Sequence, residues 1–347
     1  MDELSKTVID FVKCFGACAA GITTVENLAG GPPSTDLTYK LPGAKSAVCF
    51  AYPINQGLIP SFLAKKNCLL HERDVMRADT LATGLALQLA DFLNQKGHPS
   101  IPVSSNAVYR TDTPGGVYDL IPDISLRYLA VRSGIGHFGR SGNVITRQEG
   151  AGIILGATVT SAELTPTDPL PEEDNYCDDC RLCMAACPSG LMDENEEVTV
   201  TLGGEEFRYS KRRAYTRCEY VCGGFAGLHK SGKWSTWTPA RYPIYETGEE
   251  FRAGFRAAAK AYWQRPECEG GFYHFMMKKK LRRTCGSCQI LCVADKKERK
   301  RRYQLLVNSG VVVQNPDGSL EAVKPEVAIE RLSAMPPEIR ALYEKIE

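Results

Sequence analysis

The chain has 347 residues and 43% of them are apolar, which is enough for two ordinary hydrophobic cores and excludes a disordered chain. Lys and Arg number 42 against 41 Asp and Glu, so overall charge excludes a strong pull toward nucleic acid or a membrane surface and leaves only local patches. The opening Met1-Asp2-Glu3-Leu4 lacks the basic flank and apolar run of a leader, and the longest apolar stretch, around Ile153-Ile154-Leu155, is far too short for a membrane span. A soluble, cytoplasmic protein with no membrane partner is expected.

In chain order, Leu4, Val8, Phe11, Val12 and Phe15 recur at helical spacing and predict an amphipathic helix from Asp2 to Ala20, stopped at Gly21. Ser46 to Tyr52 reads as a buried strand. His71 to Lys96 reads as a long helix with Val75, Leu81, Leu85, Leu89 and Phe92 inward, closed by Gly97, and Pro102 to Tyr109 as a further strand. A short helix from its N-cap Asp123 to Ser133 leads into a glycine-rich turn, Gly134 to Gly142, and then a strand from Ala151 to Thr160. The mixture makes residues 1–165 an α+β domain. Thr165 to Asn175 is rich in proline and acid with little to bury and is the expected linker. Residues 166–347 form a second, cysteine-rich domain with an aromatic-rich insertion at about 223–284.

Fourteen cysteines need a chemical reason, and in a reducing compartment clustered thiols read as metal ligands rather than disulfides. Cys14, Cys18, Cys49, Cys68 and Cys268 are scattered and read as buried small hydrophobes. Cys177-x2-Cys180-x2-Cys183-x3-Cys187-Pro188 is the bacterial ferredoxin run, in which three thiolates hold one 4Fe–4S cube and the fourth crosses to another. A zinc site more often pairs two Cys-x2-Cys elements across a long spacer. The crossing rule requires a second cluster, and Cys285-x2-Cys288-x3-Cys292 is such a run without its first cysteine. Cluster one then takes Cys177, Cys180, Cys183 and Cys292. Cluster two takes Cys187, Cys285 and Cys288, with the last ligand from Cys218 or Cys222 and Cys268 as a weaker third candidate.

A double-cluster module behind a cysteine-poor domain, with one ligand from between the motifs, resembles the epoxyqueuosine reductase and reductive dehalogenase superfamily. Two stretches carry the resemblance: Ile124 to Asn143, similar to the family's helix and Gly-Leu-Gly turn beside the corrinoid, and the cysteine framework. Within the framework Arg217-Cys218 stands where the family places an Arg-Cys or Lys-Cys pair, which favours Cys218 over Cys222. The resemblance implies a nitroreductase-like, cobalamin-binding first domain followed by a ferredoxin-like double 4Fe–4S domain. It further implies cobalamin bound base-off, with Arg127, Gly134, Gly136, His137, Phe138, Gly139, Ser141 and Asn143 beside it. The Asp-x-His-x-x-Gly pattern of histidine-ligated cobalamin proteins is broken by Gly227 ahead of His229, in keeping with base-off binding. A reductase of this kind needs an acid and a polar anchor near cobalt. Asp119, Tyr109 and Arg140 are the candidates, with Arg110, Asp112 and Asp123 nearby.

The implied function is a reductase that passes electrons from a low-potential donor, ferredoxin or flavodoxin, through two clusters to cobalt and reduces a small-molecule substrate. Epoxyqueuosine reduction on tRNA is the alternative, disfavoured by a stretch after Cys292 shorter than the family's repeat domain. A non-catalytic ferredoxin-like electron carrier is the rival from another class. Two departures stand out: Val293 where the family has proline after the last cysteine, and about forty extra residues between Cys222 and Cys285, which predict a lid or substrate wall. Between Lys278 and Arg302, eleven Lys or Arg residues face only Asp295 and Glu298, a patch expected to dock an acidic electron donor rather than tRNA.

Overall fold

The computed structural model describes residues 1–105, 108–246, 248–268 and 284–346. Helix α1, Glu3–Cys14, starts where the Asp2 carboxylate accepts from the Ser5 amide, and it buries Val8, Ile9 and Val12. It ends earlier than its apolar spacing predicts. Gly16 takes φ +96°, a left-handed turn that stops a helix, and the chain enters β1, Ala19–Thr24, in which Gly21 is a strand residue and not a stop. Strand β2, Ser46–Pro53, matches expectation. Helices α2, Ile59–Leu63, and α3, Leu69–Gln95, follow, and α3 gives way to Gly97 at φ +85°.

Strand β3, Ser100–Val103, is shorter than predicted. Beyond it the Ser105 hydroxyl leaves the sheet to donate to Asp79, 2.7 Å away, and Tyr109 forms an isolated bridge with Pro122. Helix α4, Leu126–Arg132, is preceded by Ser125 as N-cap. Asp123 does not cap it, because its carboxylate is taken by Lys40 at 3.1 Å and by the Ile124 amide at 2.7 Å. The glycine-rich turn is the tip of a short hairpin, β4 His137–Phe138 with β5 Val144–Ile145, and β6 runs from Ile153 to Thr160.

The sheet order is β1-β2-β6-β3, antiparallel throughout. Successive strand residues point to opposite faces, so β2 divides cleanly. Val48 and Phe50 pack under α1 and α3, whereas Ala47, Cys49 and Ala51, all small, let α4 approach the other face. Cys49 and Cys68 are buried as expected; Cys14 and Cys18 are exposed, because they lie at the end of α1 and in the turn after it rather than on an inward face.

The second half continues with α5, Leu182–Ala185, and then a hairpin that sequence patterning did not reveal, β7 Met192–Leu202 with β8 Glu205–Arg212. Its first residues are acidic, and only Val198, Val200 and Leu202 alternate. Val200, Leu202 and Tyr209 enter the α4 face of the first-half core, with the Tyr209 hydroxyl 2.6 Å from that of Tyr128 and the Leu202 carbonyl accepting from Arg132. The expected linker is correspondingly not a loose tether. The Thr165 amide donates to Ser5, and the Thr167 hydroxyl to the Ser133 carbonyl.

Helices α6, Tyr215–Cys222, α7, Gly248–Tyr262, α8, Ser287–Ile290, and α9, Lys296–Val307, lead to the hairpin β9, Val311–Gln314, with β10, Leu320–Val323. Helices α10, Pro325–Ser333, and α11, Pro337–Arg340, complete the described chain. Trp234 and Trp237 of the insertion join Phe62, Leu63, Leu291 and Leu306 in a further core. Among the described residues no helix is long and apolar enough to cross a membrane.

A side chain at Gly136 would collide with the Ile145 carbonyl of the paired strand. Gly136→Val is therefore expected to destabilise the protein by about 2 kcal/mol or more, with or without any bound cofactor, and an unchanged urea midpoint would contradict this packing.

Candidate metal centres

The first thiol group is assembled by a local coil and one distant residue. Asp179 and Arg181 take φ of 52° and 56°, a left-handed conformation unusual for residues other than glycine, and the segment Cys177–Cys183 folds back on itself there. Cys183 lies in the field of Cys177, Cys180 and Cys292, and all four line one cavity. Donors surround the sulfurs: the Arg140 amide is 3.2 Å from Cys177, Arg299 Nη1 is 3.1 Å from Cys180 and 2.6 Å from Asp178, and the Tyr176 hydroxyl is 3.7 Å from Cys292. Cys292 is tied to the sheet domain through its carbonyl, which accepts from the Ala151 amide at 2.9 Å and occupies the space a side chain on Gly150 would need.

The second group has the same plan. Short helices α5 and α8 pack together, and each is followed by the cysteine that crosses to the other group, Cys187 and Cys292. Cys288 faces Cys187, Cys218 and Cys285. Cys222, one helical turn after Cys218, lies 3.7 Å from its sulfur and also contacts Cys285. Cys218 and Cys222 therefore both belong to the second group.

Burial pushes the Cys183 thiol up to about 12 and those of Cys187 and Cys288 above the usual range. Cys285 is held below it, chiefly by a hydrogen bond from Cys222. Thiols enclosed this way ionise readily only against a bound cation. Two sets of four soft donors, ringed by N–H and guanidinium groups, fit 4Fe–4S cubes. Among the described residues no three His, Cys, Asp or Glu side chains draw close enough for a single ion, and a cube is held by sulfurs spaced more widely than those around one metal.

The glycine turn lies between the two groups. The Gly142 amide closes onto the Gly139 carbonyl at 2.8 Å and the Gly139 amide onto Asn143 at 3.0 Å. Arg140 reaches the first group, and Asn143 Nδ2 stands 3.7 Å from Cys288 of the second. Two buried guanidiniums hold the turn: Arg127 donates to the Gly142 carbonyl and to the Tyr215 hydroxyl, and Arg212 to the Ser141 carbonyl and to Asn143 Oδ1. Rings of Tyr128, Phe138 and Tyr209 enclose Arg127. His137 is buried, which lowers its pKa and favours the neutral ring.

The residues expected beside a corrinoid are thus brought together, but against the chain itself. A side chain at Gly134 would meet the Asp168 carbonyl, one at Gly136 the Ile145 carbonyl, and one at Gly142 the Tyr209 ring and Arg212. Protein packing accounts for these three glycines. The catalytic candidates occupy separate settings. Asp119 accepts from the Gly115 amide in its own turn, Tyr109 bridges to Pro122, and Arg140 pairs with Glu197 and, at 3.4 Å, with Asp179. Arg110 and Asp112 pair with each other.

Several residues at the site escaped sequence reasoning. Arg212 and Tyr215 carried no motif. Lys65 is buried, with its ammonium pKa lowered by desolvation to about 8 in the field of Cys285 and Cys68. Arg299 and Arg302 were read as part of an outer basic face, yet both are buried, Arg302 donating to the Ile290 carbonyl at 2.7 Å. Lys296 pairs with Asp178 and Arg301 with Glu298. In the described part of the basic run, Arg299 and Arg302 thus face inward while Lys296, Lys297, Lys300 and Arg301 are exposed; its beginning, from Lys278 to Arg283, lies outside the described residues.

No family model matches the chain. The epoxyqueuosine reductase of Staphylococcus aureus is 26% identical over 266 residues, covering 65% of this chain and 66% of its own. That of Gloeobacter violaceus is 29% identical over 181 residues, 52% of this chain and 51% of its own. The chain is a relative of the epoxyqueuosine reductases. It spans just under two thirds and about half of the length of these two curated relatives. Among solved structures, an epoxyqueuosine reductase with an epoxyqueuosine-modified tRNA-Tyr stem loop matches at 17% identity and TM-score 0.41, over 97% of this chain and 74% of that one. A catabolic reductive dehalogenase in complex with 3-bromo-4-hydroxybenzoic acid matches at 16% identity and TM-score 0.47, over 73% of this chain and 33% of that one.

Anaerobically reconstituted protein is expected to hold about eight irons per chain. Cys218→Ser should lose close to half of them while Cys222→Ser, which keeps a donor beside Cys285, retains them; the reverse pattern in an iron and sulfide assay would exchange the two roles.

Proposed function

We propose that this protein is an iron–sulfur oxidoreductase that holds two 4Fe–4S clusters and reduces the epoxide of epoxyqueuosine in tRNA. The observation that carries the substrate is the kinship with epoxyqueuosine reductases over 266 residues. It outweighs the preference for a small substrate that chain length after Cys292 suggested. The eight paired thiols supply the electron path, with Cys177, Cys180, Cys183 and Cys292 on one cluster and Cys187, Cys218, Cys285 and Cys288 on the other.

The direction of flow follows from exposure. Cys180 is exposed to solvent, whereas the thiols of Cys285 and Cys288 are enclosed. A cluster held by Cys177, Cys180, Cys183 and Cys292 would be the one open to a low-potential donor, and one held by Cys187, Cys218, Cys285 and Cys288 would lie deeper and be supplied through it. Added electrons make a cluster more negative, and Arg299 at the first group with Lys65 and Arg212 near the second offset that charge. Removing an epoxide oxygen takes two electrons and two protons and releases water. Tyr215 is suited to give up a proton near the second cluster: burial alone would raise its phenol, but Arg127 and Arg212 outweigh it and pull it below the usual range. Cobalamin is implied by the superfamily resemblance alone.

Cluster-loaded protein, given a chemical reductant and a tRNA stem loop bearing epoxyqueuosine, is expected to yield queuosine, seen as loss of one oxygen in nucleoside mass spectrometry. Clusters that reduce and reoxidise normally while the modified stem loop stays unchanged would leave an electron carrier in place of the enzyme.

A further inference from the structure

The aromatic-rich insertion contains a cavity that neither cysteine group accounts for. Arg265 lines it together with Tyr262, Thr238, Thr284 and Gln314. The Arg265 guanidinium is 5% exposed, lies 4.4 Å from the Tyr262 ring centre and 5.9 Å from that of Tyr343, and has two enclosed nitrogens, Nε and Nη2, without a hydrogen-bond partner among the described residues. A buried cation with unmet donors is strongly unfavourable unless something supplies the missing acceptors.

The neighbouring polar groups are committed elsewhere. Gln314 Nε2 donates to the Pro266 and Gly318 carbonyls, and its Oε1 accepts from the Tyr343 hydroxyl. The Thr238 hydroxyl donates to the Gly224 carbonyl and that of Thr284 to the Val221 carbonyl. Other buried arginines behave differently: Arg127 meets the Gly142 carbonyl, Arg217 the Ser189 carbonyl, and Arg299 the Asp178 carboxylate. The two open nitrogens of Arg265 are the adjacent pair whose N–H bonds run parallel, the edge of a guanidinium that takes both oxygens of a carboxylate at once.

We infer that this cavity is a binding site for a small planar oxyanion, a carboxylate or a group of the same two-oxygen shape, held side-on by Arg265 between aromatic walls. The site adjoins the second cysteine group, since Thr284 precedes Cys285, and Lys65 sits 5.7 Å from the ring of Trp237, another wall of the cavity. Binding itself does not depend on the proposed reaction or on the clusters.

The test uses cluster-loaded, full-length protein, with formate, acetate and benzoate compared against chloride at equal ionic strength. Formate or acetate is expected to raise the melting temperature saturably beyond the chloride control, and calorimetric affinity should fall at least tenfold in Arg265→Gln. Arg265→Lys keeps the charge and loses the fork, so it should resemble the glutamine variant. Benzoate binding as well as acetate would identify a carboxylate carried on a larger molecule, and its exclusion a free small anion. A wild-type protein that responds to no carboxylate beyond chloride overturns the inference, as does a folded Arg265→Gln variant of unchanged affinity. Iron assayed on the same samples separates the two readings: full iron without an anion response removes this site alone, and an anion response without iron removes the clusters alone.

Discussion

Gathering eight thiols into two adjacent groups is the constraint on which the rest of this structure depends. Sulfur in a low-dielectric interior resists ionisation, as the raised pKa values of Cys183, Cys187 and Cys288 show, and thiolate groups on a cluster need compensating dipoles and cations nearby. No single segment of the chain supplies enough of them. The Arg140 amide and Asn143 come from the first half; Arg299 comes from α9; Lys65 follows α2; and Arg212 ends β8. The site therefore pulls distant parts of the chain into one body.

That requirement explains why the halves share cores instead of meeting at a tether. The β7–β8 hairpin fills the α4 face of the sheet, which brings Arg212 to the glycine turn, and the turn in turn touches both thiol groups. Trp234 and Trp237 of the insertion lock α2 to α8 and α9 in the same way. Replacing any one of these contacts by a looser one would shift a donor away from sulfur, where hydrogen-bond energy falls steeply with distance and angle. Glycine in the turn serves this packing. Gly134, Gly136 and Gly142 each leave room for protein atoms.

The insertion is a different kind of element. Its helix α7 buries Ala258, Ala261 and Tyr262 against Tyr220, Phe225 and Tyr242, so the described part of the insertion is packed. Within it Arg265 is the one described buried arginine left with two enclosed, unpartnered nitrogens, a local conflict with the rule that buried polar groups find partners. Such conflicts concentrate where a protein is built to receive something.

The sequence by itself determined the parts governed by local spacing. Helical periodicity located α1 and α3, the apolar run located β2, and the Cys-x2-Cys-x2-Cys-x3-Cys-Pro run placed the ferredoxin-type thiols, because helix pitch and cube geometry each impose a short, regular repeat. Tertiary structure alone decided what depends on contacts between residues far apart in the chain. The end of α1 was set by Gly16 and the approach of β2 rather than by continuing apolar spacing; β7 was hidden by acidic residues whose strand exists only because α4 offers it a face. The roles of Arg212, Arg299 and Lys65 were invisible for the same reason. A charged residue reads as solvated until the fold encloses it, and only the folded chain shows which sulfur, carbonyl or empty space its charge was placed to meet.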